Sequence, residues 1–287
     1  MKLRLCIVAC LCLAALPSVV PAELVLPPLF SDNMVLQQGV KVPIWGKAEP
    51  GEKITVLFKG QTKETVANDA GTWRIMLDPL RPSSEPSDLV VMSSLASSAP
   101  RPSTLGTRPY TNVLVGDVWL ASGQSNMEFP VEKSTNAAAE IETASFPTLR
   151  SFDVQKKVAL APQDSVGGRW VVCNPQTAGK LSAVAFFFAR EISQKRGIPI
   201  GILHCSAGWT PAEAWMSREA LQSDPDFAYI LKRWDEVTAE AEKAKAEGGK
   251  PKYDPMFLHR AAGFWNGGIA PLIPYGIRGV IWYQGET

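Results

Sequence analysis

Gly116-Asp117-Val118-Trp119-Leu120-Ala121-Ser122-Gly123-Gln124-Ser125-Asn126-Met127-Glu128 is the stretch on which the reading of this chain turns. From Val113 to Ala121 it is mostly apolar, as a strand buried in a sheet is, and it then stops in a small polar turn carrying one serine at its tip. Open α/β sheets place reacting groups at the carboxyl ends of their strands. Ser125 is therefore the candidate nucleophile. Serine is a weak nucleophile at neutral pH, so a base must take its proton and donors must hold the oxyanion that forms. Met127 stands where a Gly-x-Ser-x-Gly elbow would have its second glycine, which argues against the ordinary α/β-hydrolase arrangement. The alternative at this point is a polar strand-to-helix turn in which Ser125 caps the next segment.

Working outward, the chain alternates strand and helix on the carboxyl side of the turn. Leu149 to Val154 predicts a strand, and Ser182 to Arg196 a helix stopped by Gly197 and Pro199. Pro199 to Cys205 is an apolar strand of the kind buried on both faces, and Ile277 to Tyr283 is another. Between them, Pro211 to Leu221 and Asp226 to Glu247 read as helical, the latter with a solvated Glu-Lys face. This predicts an α/β domain at residues 109–287 with a doubly wound, mainly parallel sheet.

On the amino side, short apolar runs recur about every ten residues: Met34 to Leu36, Val42 to Gly46, Ile54 to Phe58, Thr72 to Leu77 and Leu89 to Met92. Turn chemistry separates them, which predicts a small all-β sandwich at residues 23–108. Ser93 to Arg108, rich in Ser, Pro and Arg, reads as the connection between the two domains.

Residues 1–22 have the form of a secretory signal: basic Lys2 and Arg4, an apolar core from Leu5 to Leu16, and a small-residue cleavage site at Val20-Pro21-Ala22. The expected product starts near Glu23 and is secreted or periplasmic. The apolar core is too short to span a bilayer. A lipoprotein-like box at Ile7 to Cys10 would leave too little apolar core before it, which argues against lipidation. Loss of the leader takes the formal charge from +1 to −1, with 27 basic against 28 acidic residues. Such a balance gives no electrostatic case for nucleic acid or anionic membrane as a partner. Hydrophobic residues at 46% and charged residues at 20% fit a soluble globular protein. Three of five cysteines lie in the leader, leaving Cys173 and Cys205 either to pair or to stay as separate thiols. No Cys or His spacing suggests a metal site, and no Gly-rich stretch a phosphate loop, so neither metal nor organic cofactor is expected.

Three ordered blocks carry a family resemblance. Residues 116–127, then Ser206-Ala207-Gly208-Trp209-Thr210-Pro211-Ala212-Glu213-Ala214-Trp215, then Gly279-Val280-Ile281-Trp282-Tyr283-Gln284-Gly285-Glu286-Thr287 resemble the sialate O-acetylesterases, carbohydrate esterases of the SGNH hydrolase superfamily. The resemblance runs from about Leu26 to the last residue and implies an SGNH-like sheet. It implies Ser125 as nucleophile and the amides of Ser125 and Gly208 as oxyanion donors, assisted by a side chain of the third block. Gln284 would supply that amide, Glu286 a carboxylate that orients a histidine. Asn126 and Glu128 are first expected to tie the turn down, with substrate contact by Asn126 as the second role. Trp119, Trp209, Trp215, Trp265, Trp282 and Tyr283 lie in or near the blocks and are candidates to stack on a sugar.

The chain's two histidines fit the role of base poorly. His204 lies inside an apolar strand, where a packed or backbone-bonded ring is expected, and His259 matches no block. In the family the catalytic histidine follows the third block. The domain is therefore expected to be incomplete, its catalytic histidine missing from a C-terminally truncated chain. The expected activity is a secreted serine esterase removing O-acetyl groups from sugars, sialic acid or a plant or bacterial polysaccharide, through an acyl-enzyme on Ser125. The competing expectation is a catalytically incomplete carbohydrate-binding or scaffolding protein of the same fold. A lipase-like or peptidase activity is weaker, because no apolar lid is evident.

Overall fold

The computed structural model describes residues 24–94 and 107–286. The leader, and the middle of the expected connection, lie outside them. In the amino-terminal part, β1 (Val35–Gln37), β2 (Val42–Lys47), β3 (Lys53–Phe58), β4 (Gln61–Val66), β5 (Thr72–Leu77) and β6 (Ser83–Ser94) follow in order. β2 pairs antiparallel with β5, and β3 lies antiparallel between β4 and β6. Alternate residues Ile54, Val56 and Phe58 of β3 and Trp73, Ile75 and Leu77 of β5 turn inward to one apolar core. The sandwich reading accounts for this period of two. β4 escaped the sequence reading because Gln61-Thr62-Lys63-Glu64-Thr65-Val66 has no apolar run. It is an edge strand set by a two-residue turn in which Lys59 (φ 44°) and Gly60 (φ 76°) both adopt positive φ.

β7 (Thr107–Gly123) joins the two halves. Its first part pairs antiparallel with β6 and parallel with β1, and its last part pairs parallel with β10 and β11. The expected boundary at 108/109 therefore falls inside one continuous 17-residue strand. After it come α1 (Ser125–Glu128), α2 (Ala137–Glu142), β8 (Phe146–Asp153), β9 (Trp170–Cys173), α3 (Ala183–Arg196), β10 (Ile200–Ser206), α4 (Arg218–Gln222), α5 (Ala228–Ala246) and β11 (Gly279–Tyr283). The sheet of this half runs β11-β7-β10-β8-β9, its first four strands parallel and β9 antiparallel at the edge. Both faces are covered. Phe186 and Ala189 of α3 join Ala121, Leu149, Ile200 and Ile202 on one side, while Trp215 and Phe264 join Leu203 and Cys205 on the other. That is the mixed α/β sheet the apolar strands predict.

α3 has the ends its sequence announces. Ser182 Oγ accepts the Ala185 N–H at 3.2 Å, and Gly197 closes the helix at φ 62°. Pro211 to Leu221 differs from the expectation of one helix. A 3-10 turn spans Ala212–Trp215 and α4 starts only at Arg218, because Ser217 caps a new helix by accepting the Ala220 N–H at 3.0 Å. Cys173 and Cys205 are separate buried thiols, burial pushing each up to about 12. Among the described residues no helix is long and apolar enough to cross a membrane.

Candidate active site

The end of β7 is shaped by a close approach. Gly123 sits at φ 138°, and a Cβ there would lie 1.9 Å from the Tyr283 carbonyl oxygen of β11. Only glycine allows the two strands to meet so closely. The chain then turns: the Gln124 N–H donates to Tyr283 O at 2.9 Å, and Glu128 N–H to Gln124 O at 2.9 Å. Met127 is buried in the core beneath, which leaves Ser125 and Asn126 exposed above it. Ser125 is the first residue of α1 rather than its cap, and its Oγ has no hydrogen-bond partner among the described residues. The hydroxyl is free to react.

β10 delivers the second segment. Its register pairs Ser206 with Gly123, and the Ala207 N–H donates to Gly123 O at 3.1 Å, so the turn after β10 lies beside Ser125. A Cβ on Gly208 would stand 3.1 Å from Ser125 Oγ and 3.3 Å from Glu128 Oε2. The expected oxyanion donor is thus next to Ser125, but its amide is already engaged. The Gly208 N–H donates to Glu128 Oε2 at 2.6 Å, and Lys156 pairs with the other carboxylate oxygen. Burial opposes charge on Glu128. The Lys156 hydrogen bond, the Gly208 amide and the positive charge of Lys156 outweigh it, holding the carboxyl below its ordinary value.

The turn from Ala207 to Thr210 is braced. Thr210 Oγ1 donates to Ala207 O at 2.7 Å and accepts from Trp215 Nε1 at 2.9 Å. Within it Trp209 is held at φ 67°, a left-handed backbone that costs a bulky residue roughly 1–3 kcal/mol.

β11 brings the third segment. Glu286 accepts from Gln124 Nε2 at 2.5 Å through one oxygen and from Asn126 Nδ2 through the other. Asn126 thus takes the tying role. Gln284 Nε2 reaches Thr210 O at 3.4 Å, a long contact that links the third segment to the second. Ser125, Asn126, Gly208, Gln284 and Glu286, from three separate stretches, share one carboxyl edge.

His204 corrects an expectation. Its ring is bonded not to backbone but to two side chains, Nδ1 to Asp153 Oδ1 at 2.8 Å and Nε2 to Ser206 Oγ at 2.7 Å. The array has the order of a Ser-His-Asp relay, yet Ser206 is only 5% exposed and Ser125 is open. The signal was present in the sequence, since His-x-Ser on a strand puts both side chains on one face. Asp153 could not be read from it, because its place beside His204 depends on the β8–β10 register. His259 packs on Phe257, with ring centroids 4.8 Å apart. Neither imidazole is hydrogen-bonded to Ser125.

A sequence model of the carbohydrate esterase family of sialic acid-specific acetylesterases matches residues 115–287, which include all three segments of this edge. The chain belongs to that family. Similar proteins include the sialate O-acetylesterase of Rattus norvegicus, 33% identical over 90% of this chain and 51% of the relative. The sialate O-acetylesterase of Homo sapiens is 30% identical over 90% of this chain and 47% of its own length. The crystal structure of a carbohydrate acetylesterase from Xanthomonas citri superposes with a TM-score of 0.72 at 31% identity, covering 92% of this chain and 51% of that one. The chain spans about half the length of the curated relatives it matches. In this acetylesterase-family chain the Ser125 turn, the Gly208 turn and the Glu286 segment are joined by hydrogen bonds into one unit.

Proposed function

We propose that this protein is a secreted serine esterase that removes O-acetyl groups from sugars through an acetyl-enzyme on Ser125. The observation that carries the reading is a free, exposed Ser125 hydroxyl at a strand end where all three family segments converge. Ser125 Oγ attacks the acetyl carbonyl carbon, and the oxyanion takes hydrogen bonds from the Ser125 and Gly208 amides as Glu128 withdraws towards Lys156. The base that took the Ser125 proton returns it to the sugar oxygen as the ester C–O bond breaks, and water, losing a proton to the same base, attacks the acetyl carbon and frees acetate and the Ser125 hydroxyl. Each oxyanion donor contributes about 10²–10³ in rate. To Glu286, which accepts from Gln124 and Asn126, we assign the orienting of an imidazole base. His204 does not take that part, being engaged by Asp153 and Ser206.

The test is covalent. With p-nitrophenyl acetate, peptide mapping by mass spectrometry is expected to find the acetyl group on the peptide containing Ser125. Ser125→Ala should abolish it and reduce acetate release from O-acetylated sialic acid by about 10³ or more. Acetyl on the Ser206 peptide, or equal acetate release by both proteins, overturns the proposal.

A second reading is a carbohydrate-binding protein of the same fold without turnover. One observation favours it: the Gly208 amide is already held by Glu128. It forecasts sugar binding with Ser125 left unacetylated.

A further inference from the structure

We infer that Trp209 is the platform on which the sugar ring of the substrate stacks, setting the preference for O-acetylated pyranosides over small acetyl esters. The inference deepens the esterase reading and rests on it for the identity of the ligand. Trp209 is 71% exposed, more than any other large hydrophobic side chain among the described residues. It follows directly on Gly208, whose missing Cβ faces Ser125 Oγ. The backbone that carries this indole is thus the turn that meets Ser125 through Gly208.

Two features separate Trp209 from the other tryptophans of the three segments. Trp215 is buried and stacks on Phe264 at 4.8 Å, and Trp119 packs edge-on against Phe188 at 5.0 Å, so both are occupied as core. Trp282 is half exposed but sets its edge against Trp215. Trp209 has no aromatic partner among those contacts. Its backbone is also held at φ 67°, where glycine would be free of strain. Strain of this kind persists where the surroundings impose it, and the Thr210 and Trp215 hydrogen bonds do so here. Folding alone gains nothing from a solvated indole in that conformation.

The surroundings point to a sugar rather than to a protein face. Ser125, Asn126 and Glu286 around the turn are exposed and polar, so polar groups are at hand beside the indole. A pyranose has the matching character: C–H groups on one face for the ring, hydroxyls at its edge for the polar groups. A flat protein interface would ask for a continuous apolar patch.

The experiment uses Ser125→Ala, which binds without turnover, and the Trp209→Gly and Trp209→Phe changes on that background. Saturation-transfer NMR and titration with 9-O-acetylated sialic acid and with acetylated xylo-oligosaccharide give the affinities. Trp209→Gly is expected to weaken at least one probe about 3- to 10-fold. Trp209→Phe should restore most of it. The melting temperature of Trp209→Gly should stay level or rise, since the strain is relieved; a merely structural Trp209 would lower it. Unchanged affinity in Trp209→Gly, or no binding of either probe to the Ser125→Ala parent, overturns the inference. Failure of Ser125 acetylation with Trp209-dependent binding intact would sink the esterase reading alone and leave the platform standing.

Discussion

At φ 138° and with the place of its missing Cβ 1.9 Å from the Tyr283 carbonyl oxygen, Gly123 holds β7 against β11 at the moment the chain turns into Ser125. A methyl group there meets backbone, which cannot swing aside as a flexible side chain would. Gly123→Ala is accordingly expected to cost about 2 kcal/mol or more, combining a disallowed φ with the overlap. Urea denaturation measures that loss. The same change should abolish Ser125 acetylation by p-nitrophenyl acetate, since separating β7 from β11 moves Gln124 and its hold on Glu286. A variant with unchanged urea midpoint would show that the turn does not depend on this contact. Ser125 was legible from its place after an apolar strand, and Gly208 from the resemblance of its block. The engagement of the Gly208 amide by Glu128 was not, since it requires two segments 80 positions apart to share one edge.

Elements differ in how openly their sequences declare them. α3 announces both ends, through Ser182 and Gly197, because capping is a matter of local hydrogen bonds and backbone angle. β4 does not, since its polar alternation is stabilised only by pairing with β3. β11 is legible as a strand yet surprising as a surface. Among the described residues it pairs with β7 alone, and Val280, Trp282 and Tyr283 are 51%, 46% and 45% exposed.

For the whole molecule, β7 is the common member. The core of the β-sandwich continues without a break into Leu203, Cys205, Trp215 and Phe264 on one face of the α/β sheet. Two polar ties reinforce the passage. Asp117 of β7 accepts from Gln38 at 2.8 Å and pairs with Arg196 at 3.0 Å, and the buried Arg150 of β8 donates to the Asn112 carbonyl and, at 3.0 Å, to its side chain. Burial lowers the Arg150 guanidinium to about 10, so it remains charged at neutral pH. The two halves should unfold together, with far-ultraviolet circular dichroism and tryptophan fluorescence tracing one urea transition. Arg150→Ala should shift both probes by the same amount, about 1–3 kcal/mol, by leaving the Asn112 carbonyl unpaired. Two separated transitions would mean that the sheets are independent.

By itself the sequence determined the strand-turn-serine of residues 113–125, the capped helix α3, the apolar strand β10 and the family to which the three blocks belong. Each of these is written in neighbouring residues, through period, caps or contiguous motif. The tertiary structure alone decided that β7 runs through both halves, that His204 is held between Asp153 and Ser206, and that Trp209 is strained and exposed in the turn whose Gly208 lies beside Ser125. Those facts depend on strand register and on contacts between segments far apart in the chain. Local pattern carries no information about which distant carbonyl or carboxylate a side chain will meet, because that is set by how the sheet closes.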